Sequence, residues 1–336
     1  MRILILGGTA FLSAEIARQA VAGGHNVTCL ARGSTAAPPA GAHWITADRS
    51  EGAAAYAEAA REWDAVIDVA RDPQHAGAAL ESLGDRAAHW TFVSSCSVYA
   101  DHSVPGAGED ARLLDPLPDG TPFSPEVYGE AKSAIEALTL RMRPAHLCRA
   151  GLISGPGDET DRYGYWPARF ARAAAERTGP VLVPDIPEAA TQIIDVRDLA
   201  AWILYAARQG ITETLNAVGA VVPFREYIEE SQGLTGATDT VKASEDWLVN
   251  EGVAPWAGED SLPLWLPPDY EGHSARSNSA AVARGLTLRP WQDTLRDTLE
   301  DERSRGLARE RKAGLSPATE RRLIASLLTA GQSRVY

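Results

Sequence analysis

The chain opens on an unbroken apolar run, Ile3–Leu6, rather than the apolar–polar alternation of a strand with one wet face. Such a run predicts a strand buried on both sides. After Gly7-Gly8-Thr9 the period changes: Phe11, Leu12, Ile16, Ala17, Ala20 and Val21 recur at helical spacing, and Gly23-Gly24 closes the helix. Further strands are expected at Asn26–Ala31, His43–Ala47, Ala65–Val69 and Trp90–Val93, with alanine-rich helical stretches at Gly52–Glu62 and Gln74–Leu83 between them. Tyr128–Arg141 reads as a helix, His146–Ile153 as a strand and Pro167–Arg177 as a helix. Gln192–Val196 then leads into a strongly apolar helix over Arg197–Arg208. Strand–helix alternation at these lengths implies βαβ units, hence an α/β fold with a Rossmann-type doubly wound parallel sheet covered on both faces.

Beyond about Asn216 the pattern becomes irregular. Pro255, Pro263, Pro267 and Pro268 lie among Trp256, Leu264, Trp265 and Leu266, which predicts a loop-rich lobe with aromatic anchors over a ligand site. Arg289–Arg305 and Pro317–Leu328 read as closing helices, with Ser316 as N-cap and Pro317 in the first turn of the second. The organisation expected is a dinucleotide-binding domain over 1–176, to which 195–215 returns, and a smaller irregular C-terminal substrate lobe from 177–194 and 216–336.

Charge narrows the partners. The 336 residues carry a formal net charge of −13, which argues against a nucleic-acid groove and against docking on anionic lipid. No apolar run reaches the ~18–20 residues of a membrane span. Three widely spaced cysteines, Cys29, Cys96 and Cys148, form no metal-ligand pattern and no disulfide framework, which fits a reducing cytoplasm. No metal is expected. Asp158, Glu159 and Asp161 precede a helix, where acids cap.

The candidate chemistry lies at strand ends. In Leu6-Gly7-Gly8-Thr9-Ala10-Phe11-Leu12-Ser13 a strand runs through a tight turn into a helix, and the turn's N–H groups with the helix dipole favour a pyrophosphate. The three glycine positions of the usual fingerprint are here Gly7, Ala10 and Ser13. After the second strand come Arg32-Gly33-Ser34-Thr35, where a guanidinium and two hydroxyls replace the acid that would hold ribose hydroxyls. This favours NADP, with NAD as the alternative. Asp48, after the third strand, reads either as an acceptor for the adenine amino group or as an N-cap. Val69 and Ala70, after the fourth, are small enough to lie against a cofactor.

Two segments carry the reactive groups: Phe92-Val93-Ser94-Ser95-Cys96-Ser97-Val98-Tyr99 and Tyr128-Gly129-Glu130-Ala131-Lys132. A tyrosine and a lysine four residues apart share one helix face, and an ammonium beside a phenol favours the phenolate. Such a phenol can give or take a proton at a carbinol oxygen. Lysine is scarce, with only Lys132, Lys242 and Lys312 in the chain, so its place after Tyr128 carries weight.

With these residues the chain resembles the extended or atypical branch of the short-chain dehydrogenase/reductase superfamily, the NAD-dependent epimerase/dehydratase-like proteins. The resemblance covers roughly the first two hundred residues, through Gly7-Gly8-Thr9, Val66–Ala70, Ser94–Tyr99, Tyr128–Lys132, Arg149–Gly157 and Ile194–Asp198. It implies a bound nicotinamide nucleotide and a Ser-Tyr-Lys site, with Tyr128 as proton carrier and Lys132 binding the nicotinamide ribose. Ser95 falls at the catalytic Ser position, with Ser94 and Ser97 as substitutes. Gly7, Thr9, Ala10, Phe11, Leu12, Arg32, Asp48, Val69, Ala70, Ser94, Tyr128, Lys132 and Ala150 would bind the cofactor. The sugar-nucleotide enzymes of the family often carry an Asn after the arginine equivalent to Arg149, whereas this chain has Ala150-Gly151-Leu152-Ile153-Ser154. The activity expected is therefore an NAD(P)-dependent oxidoreductase acting on a carbonyl or imine carbon of a small metabolite. The alternatives are a sugar-nucleotide epimerase/dehydratase and, more remotely, a non-catalytic RNA-binding relative. Pairing of two copies through a helix bundle is a further implication of the resemblance. In the segment Gly155–Pro167, the residues Arg162, Tyr163, Tyr165 and Trp166 would either line a substrate pocket or pack into the second lobe.

Overall fold

The computed structural model describes residues 1–34, 36–237 and 239–332, so Thr35, one of the two hydroxyls expected after Arg32, lies outside the described residues. Seven parallel strands form one sheet: β1 (Arg2–Leu6), β2 (Asn26–Ala31), β3 (His43–Thr46), β4 (Trp63–Asp68), β5 (Ala87–Ser95), β6 (His146–Ala150) and β7 (Thr214–Ala217). Their spatial order is β7-β6-β5-β4-β1-β2-β3, so the order reverses between β1 and β4. In such a sheet, ligands bind beyond the carboxyl ends of the strands at that reversal.

The unbroken run in β1 is explained by its two faces. Ile3 and Ile5 pack with Ile16, Ala20, Ile67, Cys148 and Ile203 under α1 (Phe11–Ala22) and α4 (Val196–Gln209). Leu4 and Leu6 pack on the other side with Val66, Phe92, Leu80 and Ile135 under α2 (Pro73–Leu83) and α3 (Tyr128–Met142). Each buried Leu or Ile contributes on the order of 1.5–3 kcal/mol. At the start of α4, Asp195 accepts from the Arg197 N–H at 2.8 Å and pairs with its guanidinium at 2.7 Å.

Two compact units are distinguished. The first comprises Met1–Ile153, Ile194–Gly219 and Arg276–Leu288 and contains the seven-stranded sheet. The second comprises Ser154–Ile193, Ala220–Ala275 and the chain from Arg289. Helix Tyr165–Glu176, which the sequence reading put in the nucleotide domain, packs within the second unit against helices Phe224–Thr235 and Trp291–Arg305, while Arg276–Leu288 falls in the first.

The strand expected over His146–Ile153 is two short strands that break at Gly151, where a Cβ would come within 2.8 Å of Val218. The region past Asn216 is less irregular than its prolines suggest. Phe224, Tyr227, Ile228 and Ser231 form the buried stripe of helix Phe224–Thr235. The helical stretch expected over Gly52–Glu62 is a 3-10 segment over Arg49–Ala59, interrupted at Gly52 by a φ of 62°. In the second unit, Tyr163, Tyr165 and Trp166 are buried. The Trp166 indole donates to the Pro263 carbonyl at 2.8 Å, and Arg162 lies over Trp256. The three aromatics thus pack into the core of that unit.

Two histidines stand out in the first unit. His89 Nε2 and Thr91 Oγ1 are 2.9 Å apart, and Thr91 Oγ1 lies 3.4 Å from His146 Nδ1. Burial pushes His89 down to about 4 and His146 down to about 3. Both are therefore neutral in the folded protein at pH 5, whereas an unfolded histidine takes a proton below about 6.5. The stability that depends on their neutrality is complete above pH 6.5 and is lost as pH falls towards 4. The Tm is expected to drop across this window, and the double variant His89→Gln/His146→Gln to show a shallower dependence by calorimetry. An unchanged slope would assign the acid limb to other groups.

Candidate active site

The turn after β1 is built for close backbone approach. Gly7 and Gly8 have φ of 140° and 103°, and a Cβ on Gly8 would stand 2.4 Å from the Cys29 sulfur. The Gly7 N–H donates to the Leu30 carbonyl at 2.9 Å, which anchors the turn between β1 and β2. Helix α1 starts after Ala10 with no side-chain cap and no acid in its first turn. Its leading N–H groups, beginning with Phe11 and Leu12, lack intrahelical acceptors and are aimed outward, which suits an anionic group. Ser13, at the third fingerprint position, donates to the Ala10 carbonyl at 3.0 Å and is buried, so a small polar residue takes the place of glycine there. Thr9 is half-buried beside them.

The rim at the ends of β2 and β3 is charged. The Arg32 and Asp48 side chains approach to 3.9 Å, both substantially exposed. Asp48 accepts from the Ser50 N–H at 2.9 Å, which places it as the N-cap of the following 3-10 segment. That bond lowers its carboxyl below the usual range. Asp48 therefore fills the N-cap role, one of the two readings open for it.

The ends of β4 and β5 converge on one amine. Lys132 is buried on α3, and its Nζ donates to the carbonyls of Ala70 and Val93, each at 2.7 Å. The ammonium also lies 4.6 Å from the Phe92 ring centroid and 5.7 Å from that of Tyr128. Burial pushes the lysine down to about 7, against the opposing charges of Asp68 and Glu136. Tyr128 is the first residue of α3 and is half-buried. Gly129 lets the helix start approach the turn after β5: a Cβ there would be 2.4 Å from the Ser97 carbonyl oxygen.

Ser95 ends β5. Its Oγ accepts from the Ser97 N–H at 3.1 Å and donates to the Ser97 Oγ at 3.1 Å. Ser94 is buried, and its hydroxyl has no partner among the described residues. Ala150 sits beside Ser95 in the β5–β6 register and is buried. Val69 abuts the glycine turn, with its Cγ2 3.0 Å from where a Gly7 Cβ would lie.

Beneath this surface lie charged pairs that the sequence does not announce. Arg149 pairs with Glu136 at 2.7 Å and donates to the Tyr99 hydroxyl at 3.1 Å, and Tyr99 donates to Asn216 at 2.6 Å. Arg49 forks onto Asp68 at 2.8 and 3.1 Å. A signal existed for the first pair: Glu136 follows Lys132 by one helical turn, and Arg149 interrupts an apolar strand. The second pair joins residues from two different strand ends and leaves no local pattern.

Residues 78–217 match the model of the NAD dependent epimerase/dehydratase family. No curated protein matches the chain. Among solved structures, UDP-glucose 4-epimerase from Thermotoga maritima is similar at a TM-score of 0.66 and 16% identity, over 91% of this chain and 99% of that one. UDP-N-acetylglucosamine 4-epimerase from Bacillus cereus is similar at 0.66 and 15%, over 94% and 100%. The Bordetella bronchiseptica enzyme WbmG, solved with NAD and UDP, is similar at 0.60 and 18%, over 91% and 96%. The family model thus matches residues 78–217 of the chain, and the likeness to these solved structures lies in the Rossmann-like α/β fold described above.

Proposed function

We propose that the chain is a nicotinamide-dinucleotide-dependent oxidoreductase in which Tyr128 carries the proton, Lys132 holds it ready to do so, and Ser95 steadies the reacting oxygen. The observation that carries this reading is the placement of the Lys132 ammonium between the ends of β4 and β5, at the sheet's carboxyl edge, with the Tyr128 ring beside it.

The residues present fit a dinucleotide. The uncapped start of α1 with Gly7 and Gly8 suits the pyrophosphate, and Arg32 on the rim suits a 2′-phosphate. Thr9, Ala10, Phe11 and Leu12 would surround the pyrophosphate, Asp48 would face the adenine, and Val69, Ala70, Ser94 and Ala150 would form the floor. A nicotinamide ring bound above that floor supplies the hydride acceptor or donor. NADP is the preferred form on the strength of Arg32. NAD, with which the similar WbmG structure was solved, is the alternative.

Of the tyrosines in the two reactive segments, Tyr128 is the one beside the amine. Tyr99 is buried, its hydroxyl is committed to Asn216 and Arg149, and burial pushes it up to about 12. Tyr128 is half-buried beside a cation, which favours its phenolate. The phenol gives its proton to the carbonyl oxygen as the carbon is reduced, or takes it from the carbinol in the reverse direction. Lys132 stabilises the negative oxygen left on Tyr128. Ser95 donates to the same substrate oxygen once its hydroxyl turns away from Ser97.

A second reading has its own support. The family matched, and the names of the similar structures, favour an epimerase or dehydratase that oxidises a sugar nucleotide transiently. Against it stands the stretch Ala150–Ser154, which has no Asn to hold a substrate phosphate. The two separate by stoichiometry: net reduction consumes the reduced nicotinamide absorbance in proportion to product, and epimerisation leaves it unchanged.

Tyr128→Phe is expected to lower turnover by at least ~100-fold, the usual weight of a positioned proton carrier, while cofactor affinity measured by fluorescence titration stays within about threefold. Turnover close to wild type would remove Tyr128 from the chemistry. Arg32→Asp is expected to shift the ratio of NADPH to NADH affinity by roughly tenfold or more towards NADH, since it replaces a phosphate partner by a repelling carboxylate. An unchanged ratio would make Arg32 a bystander.

A further inference from the structure

Asp68 closes β4 and is 1% exposed. Its carboxylate receives both ends of the Arg49 guanidinium, and its Oδ1 also accepts the Ala70 N–H at 2.9 Å. Arg49 is held in turn: its Nε donates to the Tyr56 hydroxyl at 2.9 Å and its Nη2 to the His75 carbonyl at 3.0 Å, and the Tyr56 hydroxyl donates to that same carbonyl at 3.0 Å. A buried ion pair of this kind is a poor stabilising device, because desolvation offsets much of its attraction. Its position points to another use. Ala70, whose N–H is fixed by Asp68, offers its carbonyl to Lys132 at 2.7 Å.

We propose that Arg49 and Asp68 are positioning residues for Lys132: Arg49 locks Asp68, Asp68 fixes Ala70, and the Ala70 carbonyl seats the amine beside Tyr128. This inference rests on the reading of Tyr128 and Lys132 as the reactive pair and extends it to two residues that act on the amine through Ala70. The carboxylate has a second effect on the same amine. The charges acting on Lys132 are Asp68 and Glu136, which favour its protonated form, and Arg71 and Arg49, which oppose it, with Asp68 the foremost of the four. Tyr128 and the Cys148 thiol are its other titratable neighbours. Glu136 is engaged by Arg149 through three contacts, at 2.7, 3.0 and 3.3 Å. Asp68 is thus the group whose removal the amine should feel.

The chain's three lysines make this measurable without knowing the substrate. Full-length protein carrying lysine labelled with 13C at Cε gives one signal each for Lys132, Lys242 and Lys312, assigned with Lys242→Arg and Lys312→Arg. The titration midpoint of Lys132 is expected near 7 in the wild type. Asp68→Asn, which keeps an acceptor for the Ala70 N–H but removes the charge, is expected to lower that midpoint by about half a pH unit or more. Arg49→Lys, which keeps the charge, should leave it close to wild type, and so should Asp48→Asn on the nearby rim. If Asp68→Asn does not fold, the double variant Asp68→Asn/Arg49→Met removes both charges and should still shift the midpoint downward, by less. An unmoved Lys132 midpoint in whichever of these variants folds overturns the proposal. The parent reading fails separately: if Tyr128→Phe keeps its turnover the chemistry is misassigned, whereas an inactive Tyr128→Phe with an unmoved Lys132 midpoint defeats only the positioning role.

Discussion

One ammonium held in a dry place constrains the whole first unit. Moving a lysine from its ordinary 10.5 to about 7 corresponds to roughly 5 kcal/mol of disfavoured charge. Two hydrogen bonds to carbonyls hold the amine in place, each worth about 1.5–3 kcal/mol to a charged group. They do so only if Ala70 and Val93 present their oxygens together, which requires β4 and β5 to end side by side. Helix α3 must also approach closely enough for a four-carbon stem to reach them. Gly129 permits that approach, because any side chain there would strike the Ser97 carbonyl. The reactive geometry is therefore a consequence of sheet register and of one missing Cβ.

The glycine turn shows how far a fingerprint can drift while its physics survives. Of the three expected glycine positions only Gly7 is glycine, yet the backbone still turns tightly into a helix start with no side-chain cap. The tightest contact falls on Gly8, against Cys29, outside the three spaced positions. Ser13 meets the demand for a small residue and satisfies its own hydroxyl on Ala10, leaving the first N–H groups of α1 free of side-chain competition.

The parts of this architecture visible in the sequence are those with local periodicity. Continuous apolar strands such as Ile3–Leu6 and the helical recurrence from Phe11 to Val21 arise because both faces of the sheet are covered. The Tyr128–Lys132 spacing was legible for the same reason, since four residues make one helical turn. What stayed hidden depends on contacts between distant segments. Arg49 finds Asp68 across 19 residues and Arg149 finds Glu136 across 13, and neither distance has a period. Asp48 drew attention in place of its neighbour because strand-end acids are the familiar signal, whereas the next residue turns inward. The helix at Phe224–Thr235 was masked by the proline- and tryptophan-rich segment downstream, although its own stripe of Phe224, Tyr227, Ile228 and Ser231 is regular.

The buried network under the site also decides how rigid that site is. Arg149 ties α3 to β6 through Glu136, and Tyr99 ties the turn after β5 to β7 through Asn216. Asn216 in turn donates its backbone N–H to the Glu109 carboxylate at 2.8 Å and its side-chain amide to the Ser277 carbonyl at 3.1 Å, so segments far apart in sequence meet at one residue. None of these groups can leave its partner without stranding a charge or a donor in the interior, at a cost of about 1–3 kcal/mol or more each. Above that network, Ser95 holds Ser97 through its hydroxyl, and Tyr128 stands half-buried at a helix start. The residues around Tyr128 and Ser95 are thus fixed by pairs too costly to break.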